Sequence, residues 1–161
     1  MQTYKTMLTL VPCVLLAGCA LFGDKEPTAT LRFHEQCGEA IPNKLSREVI
    51  VPKTGLSLVV ERYPALTERD VQDASVVQTA GGPAILLRLE TNGMWRLDEV
   101  TTRSRGRYLV IFLNARPVAA WLVEKRLNNG VFLLEGDFTE DEAKKACQSI
   151  NKQREKRDSL W

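Results

Sequence analysis

The stretch RYLVIFLN, residues 107–114, is apolar at both odd and even positions, as a central strand covered on both faces would be. Around it the pattern is simpler. TLRFHEQ alternates and predicts a first strand, with Leu31, Phe33 and Cys37 on one parity. A turn-rich connection, CGEAIPNKLSRE, leads to EVIVPKTGLSLVVERYP, which predicts two strands flanking a Thr54-Gly55 turn. Thr67, followed by Glu68 and Asp70, is an N-cap candidate for a short helical turn. ASVVQTAGGPAILLRLE predicts two strands around Ala80-Gly81-Gly82-Pro83, with Ile85, Leu87 and Leu89 on one face and Arg88 and Glu90 on the other.

The period then lengthens. Met94, Leu97 and Val100 or Thr101 fall at helical spacing, which predicts an amphipathic helix capped by Thr91 or Asn92 and stopped near Gly106. After the strand RYLVIFLN and the Ala115-Arg116-Pro117 turn comes VAAWLVEKRL. Asn129-Gly130 then leads into VFLLEGDF, and Asn-Gly between two β runs predicts a hairpin, because both turn residues need positive φ. Thr139 and Glu142 stand at capping-box spacing before a last helix. Its apolar stripe is Ala143, Ala146, Cys147 and Ile150, with acids in the first turn and bases near the end, matching the helix dipole. Strands, helix, three strands, helix: the order predicts an α+β fold, a mostly antiparallel sheet with two main helices packed on it.

The amino terminus follows none of these patterns. An apolar run from Met7 to Phe22 is interrupted at Pro12 and Gly18 and gives way to Asp24-Lys25-Glu26-Pro27. It falls short of the about 20 residues of a helical span and has the length of a signal segment. Its end, Leu16-Ala17-Gly18-Cys19, looks like a bacterial lipobox, whose cysteine is diacylated and becomes the new N-terminus. Cys13 lacks the small-residue pair and belongs with the discarded segment. The expected organisation is a lipoprotein signal peptide over 1–18 and lipidated Cys19 with a short tether over 19–30. An α+β domain follows over 31–150, then a charged tail over 151–161. An ordinary secretory signal or an uncleaved anchor is the alternative. Two lipid chains give a stable membrane anchor, and Ala20 rather than Asp after the cysteine favours the outer membrane, facing the periplasm.

Charge narrows the partners. Lys5 is the only charged residue among the first eighteen, so 21 of the 22 basic residues remain against 20 acidic ones. That balance excludes a polyanion binder of the usual strongly basic kind, so no nucleic-acid partner is expected. Apolar content of 44% is enough for one cored domain. Cys37 and Cys147 remain after processing, and in an exported protein an even count predicts a disulfide. A bridge would close a loop of about 110 residues, worth about 4–5 kcal/mol in the chain-entropy view. The alternative is two buried free thiols.

No catalytic constellation is present. The single histidine, His34, has the reading of an exposed or edge-strand residue. No second His, Cys-x-x-Cys or acid cluster makes a metal site, and no phosphate loop appears, so neither cofactor nor enzymatic activity is expected. Arg103, Arg105 and Arg107 end the middle helix; they complement its dipole and are solvated, or they form a contact for an acidic partner or phospholipid headgroups. Trp95 and Trp121 have the pattern of core or half-buried residues.

From Leu66 to about Ala146 an ordered set of short segments resembles the head subdomain of the first periplasmic domain of SecD, or of fused SecDF, the protein-export subunit. These segments are LTERDVQDASVVQ, GGPAILLRLETNGMWRLDEVT, GRYLVIFLNARPV and GVFLLEGDFTEDEA. The chain departs from the family at Asn114-Ala115, where the family has aspartate-glycine, and it offers no transmembrane bundle. The resemblance implies a domain that engages exported polypeptides and has no catalytic residues. The expectation is thus a membrane-anchored, non-catalytic envelope lipoprotein binding protein or peptide, through exposed sheet edges or a hairpin between Trp121 and Phe132. The alternative is a structural subunit of an envelope complex.

Overall fold

Tyr108–Leu113 forms an inner strand, and both of its faces are covered. The computed structural model describes residues 28–38 and 43–160. In chain order the strands that precede the first helix are β1 (Leu31–Glu35), β2 (Ser46–Val51), β3 (Leu56–Glu61), β4 (Leu66–Thr67), β5 (Val71–Thr79) and β6 (Gly82–Leu89). Helix α1 (Thr91–Arg103) precedes β7 (Tyr108–Leu113), β8 (Arg116–Leu122), β9 (Val131–Glu135) and helix α2 (Glu140–Asp158). One antiparallel sheet has the order β4-β1-β7-β8, another β5-β6-β9, and β2-β3 is a hairpin. The α+β class stands, with the strands divided between sheets rather than held in one.

The two parities of β7 serve two cores. Leu109, Ile111 and Leu113 face the main core, while Val110 and Phe112 face a smaller one roofed by Val49, Val51, Leu58 and Val60 of the hairpin. In register with β7, β1 turns Leu31 and Phe33 to the main core and His34 toward the hairpin. In the main core, Phe132 takes the edges of Phe33 and Trp121 at centroid distances of 5.2 and 5.3 Å. Leu97 and Val100 of α1, and Ala143, Ala146, Cys147 and Ile150 of α2, complete it. Each large apolar side chain so buried stabilises the fold by about 1.5–3 kcal/mol.

Local signals explain the element ends, with two corrections. Thr67 and Asp70 form a capping box on the turn Glu68–Asp70, and Thr139 and Glu142 form one on α2. Helix α1 is not capped by Thr91 or Asn92. Glu90 is its N-cap and gives no side-chain bond. Its N–H bonds to the Asp70 carbonyl at 2.9 Å, and Gly93 allows the approach, because a Cβ there would lie 2.4 Å from that same oxygen. The second correction concerns Asn129-Gly130. Gly130 has φ +68°, but β8 pairs with β7 while β9 pairs with β6, so the turn carries the chain between sheets and no hairpin joins Trp121 to Phe132.

The charged segment after Ile150 continues α2 to Asp158. The thiols of Cys37 and Cys147 are free, so the bridge expected between them is absent from the structure. The parity argument fails because β1 ends at Glu35. Gln36 then pairs with Val60, and Cys37 donates its N–H to the Val59 carbonyl, which draws it toward the hairpin. Cys147 lies in the main core, and burial there, with Asp73 nearby, pushes its thiol up to about 11. Burial also raises the Cys37 thiol, with Glu61 adding to the shift.

Candidate functional site

Strand β9 borders only β6, so one side of its backbone is open. The Leu89 amide donates to the Gly130 carbonyl at 2.8 Å, which fixes the ladder phase. By antiparallel alternation Phe132 and Leu134 bond toward β6, while Val131, Leu133 and Glu135 turn their backbone groups outward. Asn129 Oδ1 takes the Val131 amide at 3.1 Å. The amide and carbonyl of Leu133 meet no partner among the described residues. The side chains of these outward residues lie on the face away from the core. Val131 is 37% and Leu133 45% exposed, with Leu86 opposite Leu133 and Arg88 opposite Val131 on β6. An open ladder beside an apolar row is what an added strand requires.

At the Glu135 end of β9 is a cleft of about 170 Å³, lined by Val118, Ala119 and Ala120 of β8, by Pro83, Glu135 and Gly136, and by the Lys53-Thr54 turn. It is smaller than the about 300–1,000 Å³ of small-molecule sites and has the scale of one side chain. Lys53 and Glu135 supply its charge.

Of the other edges, that of β5 is covered at Ala74 by Asn151 of α2, the Asp137 amide donates to the Val118 carbonyl of β8 at 2.7 Å, β4 has two residues, and β2, which borders only β3, presents the exposed Ile50.

The arginines singled out by the sequence do not converge. Arg103 grips the buried Glu35 through Nε at 3.0 Å and through Nη2, and reaches Glu99 at 2.9 Å. Ser104 Oγ also donates to Glu35. Burial pushes the Glu35 carboxyl up, but the Arg103 and Ser104 hydrogen bonds outweigh it and hold the group below the usual range. Arg107 donates to the Arg103 carbonyl at 2.8 Å, closing the end of α1, and to Gln36 at 3.4 Å. Arg105 is exposed and donates to the Glu124 carbonyl at 3.3 Å.

His34 is not exposed. It is 3% accessible, donating from Nδ1 to the Glu61 carbonyl at 2.8 Å and accepting at Nε2 from Arg47 at 3.5 Å, beside the Phe112 ring. Burial lowers its pKa despite the Glu61 bond. Trp95, expected to be at least half buried, is 65% exposed on α1. Cys19 lies outside the described residues. Among the described residues no group of three His, Cys, Asp or Glu could hold a metal ion, and no helix is long and apolar enough to cross a membrane.

The family model for the SecDF P1 head subdomain matches residues 25–151. Two solved structures share the fold. One is SecDF in a super-membrane-facing form, with TM-score 0.58 and 22% identity over 77% of this chain and 19% of that one. The other is described as a membrane component SecDF that enhances protein export, with TM-score 0.57 and 22% identity over 77% of this chain and 62% of that one. The chain thus spans about a fifth of the first relative and under two thirds of the second. No curated protein sequence matches it.

Proposed function

The chain belongs to the SecDF P1 head subdomain family, and from that premise we propose that it is a lipid-anchored, non-catalytic module of the bacterial envelope that receives extended polypeptide segments during export. Diacylated Cys19 tethers it, facing the periplasm, and Ala20 favours the outer membrane. The observation that carries the reading is the open edge of β9: unpaired Leu133 backbone groups flanked by the exposed Val131 and Leu133 side chains. An exported segment in extended form supplies the complementary backbone, and its alternate side chains lie on the Leu86–Leu133 row. The cleft beyond Glu135 accepts one side chain as the segment leaves the edge. Arg103 and Arg107 belong to the scaffold of this module rather than to its binding surface.

Photo-crosslinking in living cells tests the proposal. A photoreactive residue at Leu133 should capture many different exported chains, whereas one at Tyr63, exposed in the loop after β3, should capture few. Capture of one dominant protein from Leu133 would instead mark a fixed subunit of a complex. Loss of membrane association by Cys19→Ser tests the anchor separately.

A further inference from the structure

The chain enters the domain along α2. Ser149 Oγ accepts the Ala29 amide at 2.8 Å, and Gln153 Nε2 donates to the Ala29 carbonyl at 2.8 Å. Ala29 is buried, and Asn114 Oδ1 holds the next amide, that of Thr30, at 3.1 Å. Ser149 and Gln153 are one helical turn apart, so the segment arriving from Cys19 is delivered onto one stripe of the helix. Lys145, Lys152 and Lys156 stand four residues before Ser149 and three and seven after it, which puts them on the same stripe. All three are exposed.

The neighbouring charges are mostly committed elsewhere. Lys144 pairs with Glu140 at 2.7 Å, Arg154 with Asp158 at 3.0 Å, and Arg157 with Glu90 at 3.5 Å. Arg116, two residues past Asn114, is held by Asp137 and Glu142. Lys145 and Lys156 form no ion pair among the described residues. The acids of α2 cluster in its first turn, where Asp141 and Glu142 stand four and three residues before Lys145, so they border the stripe only at its N-terminal end. Thr28 is nine residues past Cys19, so even a fully extended connection reaches at most about 30 Å.

We propose that this stripe of α2 is the surface the domain turns to an anionic phospholipid bilayer, with Lys145, Lys152 and Lys156 against the lipid phosphates. The proposal rests on the reading of Cys19 as the anchor. The tether keeps these lysines within reach of the bilayer, and once the stripe lies against it they are inside the range where attraction outlasts screening, about 8 Å at physiological salt. The polarity suits the site on β9. In the three-stranded sheet α2 lies against β5 and β9 is the opposite edge, so the bilayer and an added strand approach from different sides.

The test is lysine acetylation of the full lipidated chain in vesicles, read by mass spectrometry at each residue. In phosphatidylethanolamine–phosphatidylglycerol vesicles the three lysines should react about threefold more slowly than in phosphatidylcholine vesicles, with the difference erased by about 0.5 M salt. Lys53 and Lys125, on other faces, should not change. The triple variant K145E/K152E/K156E should remain folded and vesicle-bound while losing contact with the anionic surface, seen as a gain in tumbling of a spin label on α2. A chain retained by both vesicles with equal rates at the three lysines overturns this proposal alone. A chain left in the supernatant with both lipids overturns the anchor and this proposal with it.

Discussion

Asn151 of α2 accepts the Ala74 amide and donates to the Ala74 carbonyl, both at 2.9 Å, so one side chain stands in for a neighbouring strand at the edge of β5. The pair covers the β5 edge at Ala74, while β9, the opposite edge, meets no such side chain at Leu133. Edge strands left bare invite pairing with other chains. Where this domain covers an edge, and where it does not, therefore decides where a polypeptide can add.

Replacing Asn151 by Leu removes both bonds and bares the β5 edge. The expected cost is about 1–3 kcal/mol for the backbone groups left without partners. Urea unfolding measures it. Light scattering should show more concentration-dependent association than for the parent chain.

Asn114 and Ala115 both have positive φ, 51° and 64°, in the tight turn between β7 and β8. The turn keeps its shape although the second residue is not glycine. An L side chain in this region costs about 1–2 kcal/mol. Ala115→Gly should recover about 1 kcal/mol of that after the entropy glycine adds to the unfolded chain. The gain would appear as a rise of about 3–5 °C in the thermal midpoint.

Arg103→Met leaves Glu35 buried without its guanidinium. The expected loss is about 2–3 kcal/mol, less than the about 3–5 of a fully buried pair, because Arg103 is half exposed. Adding Glu35→Gln should restore part of it. The folded-state pKa of Glu35 lies below its ordinary 4.5, so its stabilisation is present above pH 4.5 and fades as pH falls through the folded value. The Arg103→Met chain should lack that acid loss in urea titrations.

His34 is held neutral by burial, with its folded-state pKa below the ordinary 6.5. Below pH 6.5 the unfolded chain binds a proton that the folded chain refuses, so stability falls with acidification until the folded pKa is passed. The slope is at most about 1.4 kcal/mol per pH unit. His34→Gln, which can keep the bond to Glu61, should flatten the profile below pH 6.5.

What the sequence made legible was mostly local. RYLVIFLN announces a strand covered on both faces, because only two separate cores can absorb both Ile111 and Phe112. Thr139 and Glu142 announce the start of α2 because both halves of a capping box lie within four residues. Asn129-Gly130 shows where that reach ends. The dipeptide specifies a turn with positive φ, but its partner strand, β6, lies about forty residues upstream. His34 fails for a related reason. Alternation shows which face it shares, while burial of that face depends on a hairpin folding over it. The open edge of β9 is a property of strand order, so the exposed Val131 and Leu133 were visible only as one parity of a strand.

The most direct measurement is amide hydrogen exchange at Leu133 as the chain is titrated with a short extended peptide whose apolar residues alternate. Strand addition predicts that the Leu133 amide becomes protected with peptide concentration while Gln148, on α2 beside the opposite edge of that sheet, stays unchanged. An unaltered Leu133 amide at saturating peptide, or protection spread equally over both, would contradict binding at the β9 edge.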